Sequence, residues 1–301
     1  MKILLLGKNG QVGWELQRAL APLGEITALD RHSKEHCGDL SNLPGLAHTL
    51  HTLKPNVIVN AAAYTAVDQA ETEHAQATRI NTDAVAVLAK EAEVLGAWLV
   101  HYSSDYVFDG TGSTPWQEED APAPLNHYGA SKLAGERALT QHCSRHLLFR
   151  TSWVYGSRGN NFARTMLHLG KERSTLSVIH DQIGAPTGAA LIADVTAHAL
   201  RKATQQPELA GLYHLAAAGS ASWYDYASLV FEQARKAGIP LALNSLEAIP
   251  SSAWQAAATR PLNSRLDCRR LEAAFDLSLP PWQHGLRHTL TDILEQHIEQ
   301  A

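Results

Sequence analysis

Cysteine is scarce in this chain, with three in 301 residues, at Cys37, Cys143 and Cys268. They are far apart, odd in number and form no C-x-x-C pair, which argues against a disulfide framework and against a structural zinc site. Long apolar runs are missing too, so no stretch approaches the length of a membrane span. The N-terminus enters a strand-like segment rather than a charged and then apolar signal, and a cytoplasmic protein is expected. No run of basic residues interrupts a net charge of −5, which speaks against nucleic acid as a partner. Internal repeats and low-complexity segments are absent. What is there is an ordinary globular composition, 45% hydrophobic and 18% charged, long enough for one large α/β domain or a large and a small one. Histidine is plentiful, with 16 residues. His32/His36, His142/His146 and His284/His288 have the i,i+4 spacing of one helix face, but no Cys or Glu stands beside them in a ligand pattern. Solvated faces are expected there rather than metal sites.

Read in order, the chain alternates strand and helix. Ile3–Leu6 is a continuous apolar run, as in a strand buried on both faces. Gly7-Lys8-Asn9-Gly10-Gln11-Val12-Gly13 follows and opens a helix expected from about Gln11 to Ala21. Glycines in a strand-turn-helix let backbone approach a pyrophosphate seated on the helix N-terminus. A second strand, Ile26–Leu29, ends at Asp30-Arg31, where such folds read the adenosine ribose. Asp30 suits free hydroxyls and Arg31 a 2′-phosphate, so both NADH and NADPH are expected. Asp39-Leu40 precedes a helix expected to be capped by Ser41, and strand Val57–Val59 runs into the small residues Ala61, Ala62 and Ala63 before Tyr64. A long helix, about His74–Leu95, precedes strand Ala97–Tyr102 and then Ser103-Ser104-Asp105-Tyr106-Val107-Phe108. Hydroxyls at a strand's C-terminal end lie where open α/β sheets bind ligands.

Asn126 then caps a helix expected to run to about Gln141. Tyr128 and Lys132 are four apart on it and share a face. A nearby cation favours a phenolate and brings tyrosine toward a useful acid–base range. Arg145–Thr151 reads as another strand, so the class is α/β, a Rossmann-like doubly wound parallel sheet. Past Trp153 the pattern loosens. Helices are expected at about Phe162–Leu169, Ala189–Ala203 and from Ser222 to Lys236, with strands at Leu176–Ile179 and Leu212–Leu215. Residues 1–152 are read as the dinucleotide-binding domain, with 189–217 returning to it. Residues 153–188 and 218–301 are read mainly as a smaller, discontinuous α/β substrate-binding region.

The motifs GKNGQVG, NAAAYTAVDQAE, SSDYVFDG, YGASKLAGE, RTSWVYG, NNFARTM, DQIGAPT and RPLNSRL resemble, in order, those of the extended short-chain dehydrogenase/reductase superfamily. Within it the chain is similar to the dTDP-4-dehydrorhamnose reductase family. The resemblance implies a nucleotide-sugar substrate and reduction of its C4 ketone, with Ser104, Tyr128 and Lys132 as the catalytic trio. It implies that Lys132 holds the nicotinamide ribose and lowers the Tyr128 pKa, and that Asp39, Leu40 and Ala61–Tyr64 join the glycine turn against the cofactor. Ser104, Asp105, Tyr106, Phe108, Tyr128, Trp153 and Arg260 are the implied substrate contacts, with Asn263 and Ser264 near the diphosphate. Some members are described as homodimers bridged by Mg²⁺. Glu15 matches a ligand there and Asp292 could replace another, but residue 190 is Ala where that form carries Glu, so the metal is not carried over. Two other readings share the motifs: a nucleotide-sugar epimerase or dehydratase holding NAD permanently, and a non-catalytic subunit like the regulatory one of methionine adenosyltransferase.

Overall fold

The structure is a computed structural model, and it describes residues 1–298. The first half is built from β1 (Lys2–Leu6), α1 (Gln11–Leu20), β2 (Glu25–Leu29), α2 (Leu43–Leu53), β3 (Val57–Asn60), α3 (Val67–Ala70), α4 (His74–Thr78), α5 (Ala84–Leu95), β4 (Trp98–Ser104), α6 (His127–His142) and β5 (His146–Thr151). The second half adds β6 (Val154–Tyr155), α7 (Phe162–Glu172), β7 (Thr175–Ile179), β8 (Ile183–Gly184), β9 (Thr187–Gly188), α8 (Ala189–Gln205), β10 (Gly211–His214), β11 (Ala221–Ser222), α9 (Trp223–Lys236), β12 (Ser245–Ile249), α10 (Arg269–Phe275) and α11 (Trp282–Ile298).

Six strands form one parallel sheet in the order β10-β5-β4-β3-β1-β2. Strands buried on both faces need apolar side chains on both, and β1, β3 and β5 are buried at nearly every position. One face, carrying Ile3, Val59, Val100 and Phe149, packs on α1, α8 and α10. The other, carrying Leu4, Ile58, Leu99 and Leu148, packs on α2, α5 and α6. A second core gathers Met166, Val178, Tyr226, Phe231 and Leu290 from α7, β7, α9 and α11. Thus α8 and β10 sit with the large sheet although β6, α7 and β7 intervene, and α10 joins it through Leu271 and Phe275.

Three sequence-based expectations change here. The helix read as His74–Leu95 is two α-helices joined by a π-turn over Arg79–Asp83. The cap of α2 is Asn42, whose side chain accepts from the Gly45 N–H, because the Ser41 hydroxyl and N–H are both taken by the Asp39 carboxylate. Of the histidine pairs, only His284/His288 lies within one helix. His32 and His36 are in a loop, and His146 has turned into β5, where its Nδ1 meets the Cys143 carbonyl at 2.7 Å.

Candidate active site

The strand order reverses at β1, which has β2 on one side and β3 on the other. A crevice therefore opens at the C-terminal ends of β1 and β3, the place where such sheets hold ligands. Its floor is the glycine turn. Gly7 has φ +90°, and a Cβ there would lie 2.8 Å from the Ala62 nitrogen. A Cβ on Gly13 would lie 2.0 Å from the Gly7 carbonyl oxygen. Gly10 caps α1 with no side-chain hydrogen bond, so the first-turn N–H groups face the crevice for an anion. At the end of β2 the Asp30 carboxylate accepts from Asn9, from the His32 N–H at 2.9 Å and from Ser33 at 3.1 Å. Burial pushes that carboxyl up, but the His32 and Ser33 hydrogen bonds hold it below its ordinary value. Arg31 is exposed beside it, touching only His32 at 3.0 Å. This floor fits a dinucleotide, since Cβ atoms are excluded where a pyrophosphate must approach.

Ala61 and Ala62 are fastened by Leu6 and Asn60, and the Tyr64 N–H by the Asn81 side chain at 2.9 Å. Asn81 lies in the π-turn and also bonds the Ser131 hydroxyl at 3.1 Å, tying the cofactor loop to α6. Nothing local in the sequence marks Asn81, whose partners are 17 and 50 residues away. Two expected cofactor residues serve differently. Leu40 is buried among Leu46 and Leu50, so only its backbone can face a ligand. Gln11 points to the loop after β6, where its Oε1 accepts from Asn161 at 3.1 Å. Val12 packs partly against the sheet core.

At the end of β4, Ser104 is 6% exposed and its hydroxyl donates to Asp105 at 3.1 Å while accepting from the Tyr106 N–H at 3.1 Å. Tyr128, in the first turn of α6, is half-buried and edge-on to Tyr106, with ring centroids 5.6 Å apart. The Asn126 side chain caps that helix as expected, accepting from the Gly129 N–H at 2.8 Å. Lys132 is 2% exposed and donates from Nζ to the Tyr102 carbonyl at 2.5 Å. Ser104 and Tyr128 thus meet, and Lys132, one turn along α6, reaches the β4 backbone two residues before Ser104. The expected acidity is reversed, however. Burial pushes the Tyr128 phenol up to about 12; a hydrogen bond with Ser104 opposes this and the Asp105 charge adds to it. Lys132 itself is drawn down to about 8 by burial, with Glu136 opposing. Desolvation outweighs the Ser104 hydrogen bond, and the Lys132 ammonium is spent on a backbone carbonyl.

The expected substrate contacts divide. Tyr106 and Asp105 border the trio. Asp105 is buried, and its carboxyl is pushed up to about 6 by that burial, with Ser264 and Ser104 opposing. Arg260 lines a cleft of about 620 Å³ with Phe162, Met166, Trp223 and Trp254, and its guanidinium pairs with Asp68 at 2.7 Å. Trp153 stacks on Trp223 at 3.7 Å, with φ +48°. A Cβ at Gly184 would come within 2.6 Å of that indole, which accounts for the glycine of DQIGAPT. Phe108 is a correction: it is fully buried, stacked on Trp116 at 4.6 Å with the Arg150 guanidinium 5.0 Å from its centroid, and it faces core. Asn263 is likewise 2% exposed and spends its amide on the Thr114 carbonyl at 2.8 Å. The sequence reading missed Asp68, Gln182, Trp223 and Trp254. As for a metal, Glu15 lies 3.6 Å from Arg18, Ala190 offers no donor, and no group of three or more ligating side chains occurs among the described residues.

Comparison with known proteins places this geometry. The family model described as RmlD substrate binding domain matches residues 1–295. The chain is 61% identical to the dTDP-4-dehydrorhamnose reductase of Salmonella typhimurium, over 97% of this chain and 98% of that one. It is 59% identical to that of Escherichia coli K12, over 97% and 98%. Among solved structures, the reductase of Bacillus anthracis in complex with NADP matches with TM-score 0.86 at 34% identity, covering 97% of this chain and 99% of that one. At 20% identity, MoeE5 in complex with UDP-glucuronic acid and NAD shares the fold, with TM-score 0.80. Motif order, trio geometry and full-length similarity agree, and the chain belongs to the dTDP-4-dehydrorhamnose reductase family.

Proposed function

We propose that this protein reduces the C4 ketone of dTDP-4-dehydro-L-rhamnose to dTDP-L-rhamnose, with NADPH or NADH. The observation that carries the reading is Ser104 meeting Tyr128 at the end of β4, with Lys132 reaching that strand from the same helix, beside a glycine turn closed to Cβ atoms at Gly7 and Gly13. When bound, the reduced nicotinamide supplies the hydride. Tyr128 gives its Oη proton to the C4 oxygen as charge develops there, so one hydride and one proton complete the alcohol. A phenol near 12 keeps that proton until a developing alkoxide takes it. Ser104 hydrogen-bonds the same oxygen. Lys132 places positive charge beneath the phenol and faces the ribose. Gly7, Gly10 and Gly13 with the α1 N-terminus hold the pyrophosphate, Asp30 the adenosine ribose, and Arg31 a 2′-phosphate. The apolar cleft of Trp223 and Trp254 fits the thymine end, and Arg260 at its edge a diphosphate oxygen.

On this reading residues 1–152 and 189–217 form the cofactor half, while 153–188 and most of 218–301 form the substrate half. We also place the enzyme in the cytoplasm, with homodimerisation open to measurement by ultracentrifugation. No helix among the described residues is long and apolar enough to cross a membrane. The test is single-turnover NADPH oxidation with saturating keto-sugar. Tyr128→Phe should keep fold and NADPH binding yet slow reduction by roughly 10²–10⁴, the usual contribution of a positioned general acid. Reduction at the parent rate would remove Tyr128 from the chemistry.

A further inference from the structure

Beneath α6 lies a polar layer that the reduction just described does not use. Leu99 of β4 faces α5 and α6, and with strand alternation His101 and Ser103 face the same way. Register sets Asn60 of β3 beside His101 and Arg150 of β5 beside Ser103. Helix α6 covers this layer with Lys132 and Glu136, one turn apart and on one face. None of these six residues is more than 4% exposed.

The charges in the layer are unevenly shared. The Glu136 carboxylate is held in a fork by Arg150, with Nε at 3.0 Å and Nη2 at 2.7 Å. Arg150 Nη1, His101 Nε2 and Ser103 Oγ are buried without a protein partner. The Asn60 amide meets His101 Nδ1 at 3.2 Å, and burial together with the Lys132 charge keeps that imidazole neutral. On β10, His214 is drawn down to about 3 by burial and by Arg150. Asp105, at the other end of Lys132's surroundings, is pushed toward its neutral form. Lys132 therefore shares its layer with the neutral His101 imidazole, the Arg150 guanidinium and the Glu136 carboxylate, while its Nζ donates to the Tyr102 carbonyl. Burial opposes the ammonium, and Glu136 is the group that restores it.

We propose that Glu136 is a positioning residue of the reduction: its carboxylate, fixed by Arg150 one helical turn from Lys132, sustains the charge of that ammonium, which itself stands one turn from Tyr128. This rests on reading Tyr128 and Lys132 as the reducing pair. The alternative is that the fork only fastens α6 to β5.

The two are separated by the titration of Lys132 in the full chain without substrate. It is followed by NMR of ¹³Cε-labelled lysine, with Lys132→Met assigning the signal. In the parent the midpoint should lie near 8, drawn down by burial. Glu136→Gln should lower it by about one unit, a tenfold smaller charged fraction above the midpoint. The basic limb of kcat should move down with it, while Glu136→Asp keeps both near the parent. Glu136→Gln strands Arg150 and invites unfolding, so the double variant Glu136→Gln/Arg150→Met, which removes the buried charges together, carries the test in that event. It should still lower the midpoint, by about half a unit or more, since Glu136 shares a helix face with Lys132 whereas Arg150 reaches the layer from β5. An unmoved midpoint in the folded variants, with an active parent, overturns the proposal. A parent that titrates as expected but never reduces keto-sugar sinks the functional reading instead.

Discussion

Replacing Gly13 by Ala would test whether the glycine turn is a cradle or a coincidence of spacing. The added Cβ would lie 2.0 Å from the Gly7 carbonyl oxygen, 2.7 Å from its carbon and 3.2 Å from the Lys8 nitrogen. All three are backbone atoms, so no side chain can rotate away. Relief to ordinary contact needs α1 to lift from the end of β1 by more than about 1 Å, since carbon rests about 3.5 Å from its neighbours. Yet β1 is held between β3 and β2, and α1 is packed on α8 through Leu16 and Leu20. Helix propensity alone would favour Ala by about 1 kcal/mol. Overpacking costs roughly 1–3 kcal/mol, and more where backbone must move. The net is a loss of about 1–2 kcal/mol, and a fall in Tm of roughly 2–8 °C for a chain of this size. The displaced first turn should also weaken NADPH binding by tenfold or more, about 1.4 kcal/mol. Gly10→Ala is the control for the melts alone, because its Cβ meets no protein atom nearer than 3.4 Å and its φ is −72°. Thermal melts of the cofactor-free protein and fluorescence titration with NADPH decide it. Parent-like melting and affinity in Gly13→Ala would refute the close-packed turn.

Three further outcomes follow from the described geometry. Arg31→Ala should weaken NADPH by about 1 kcal/mol, roughly fivefold, as for an exposed ion pair, and leave NADH alone; equal losses in two titrations would show that Arg31 does not read the phosphate. Phe108→Ala should lower stability by roughly 3–5 kcal/mol in denaturant melts while leaving KM for the sugar near the parent value; a large KM change at parent stability would return Phe108 to the substrate surface. Asp105 has a folded pKa of about 6 against an ordinary 3.8. Its raised value stabilises the protein below the ordinary pKa, and that contribution is lost as pH climbs through 6. Asp105→Asn should thus match the parent near pH 4 and exceed it by about 3 kcal/mol near pH 7.5, and a gap constant with pH would contradict this.

The parts of this molecule that are written locally were legible in its sequence. Apolar runs such as Ile3–Leu6 gave the buried strands, Asn126 and Ser222 cap their helices as expected, and Tyr128 and Lys132 lie one turn apart on α6. What escaped depends on distant partners. The π-turn at Arg79–Asp83 keeps helical periodicity on either side, so only its role of aiming Asn81 at Tyr64 and Ser131 reveals it. β8 and β9 have two residues each, too few to show alternation. Phe108 and Tyr106 share one motif, yet three-dimensional packing sends one into core and the other to the site. The sign of the Tyr128 shift was misjudged because spacing gives neighbours and not burial.

The interleaving of the two cores limits how this scaffold can be recombined. The chain leaves the sheet core near Trp153, returns with α8 and β10, departs again for α9, comes back with α10 and ends in the second core with α11. A single crossover between two homologous genes would therefore divide at least one core between parents, wherever it fell. Chimeras that exchange substrate preference while keeping the cofactor half intact need five junctions, with α8, β10 and α10 inherited from the same parent as β1. Libraries built on one splice point should yield mostly unfolded chains.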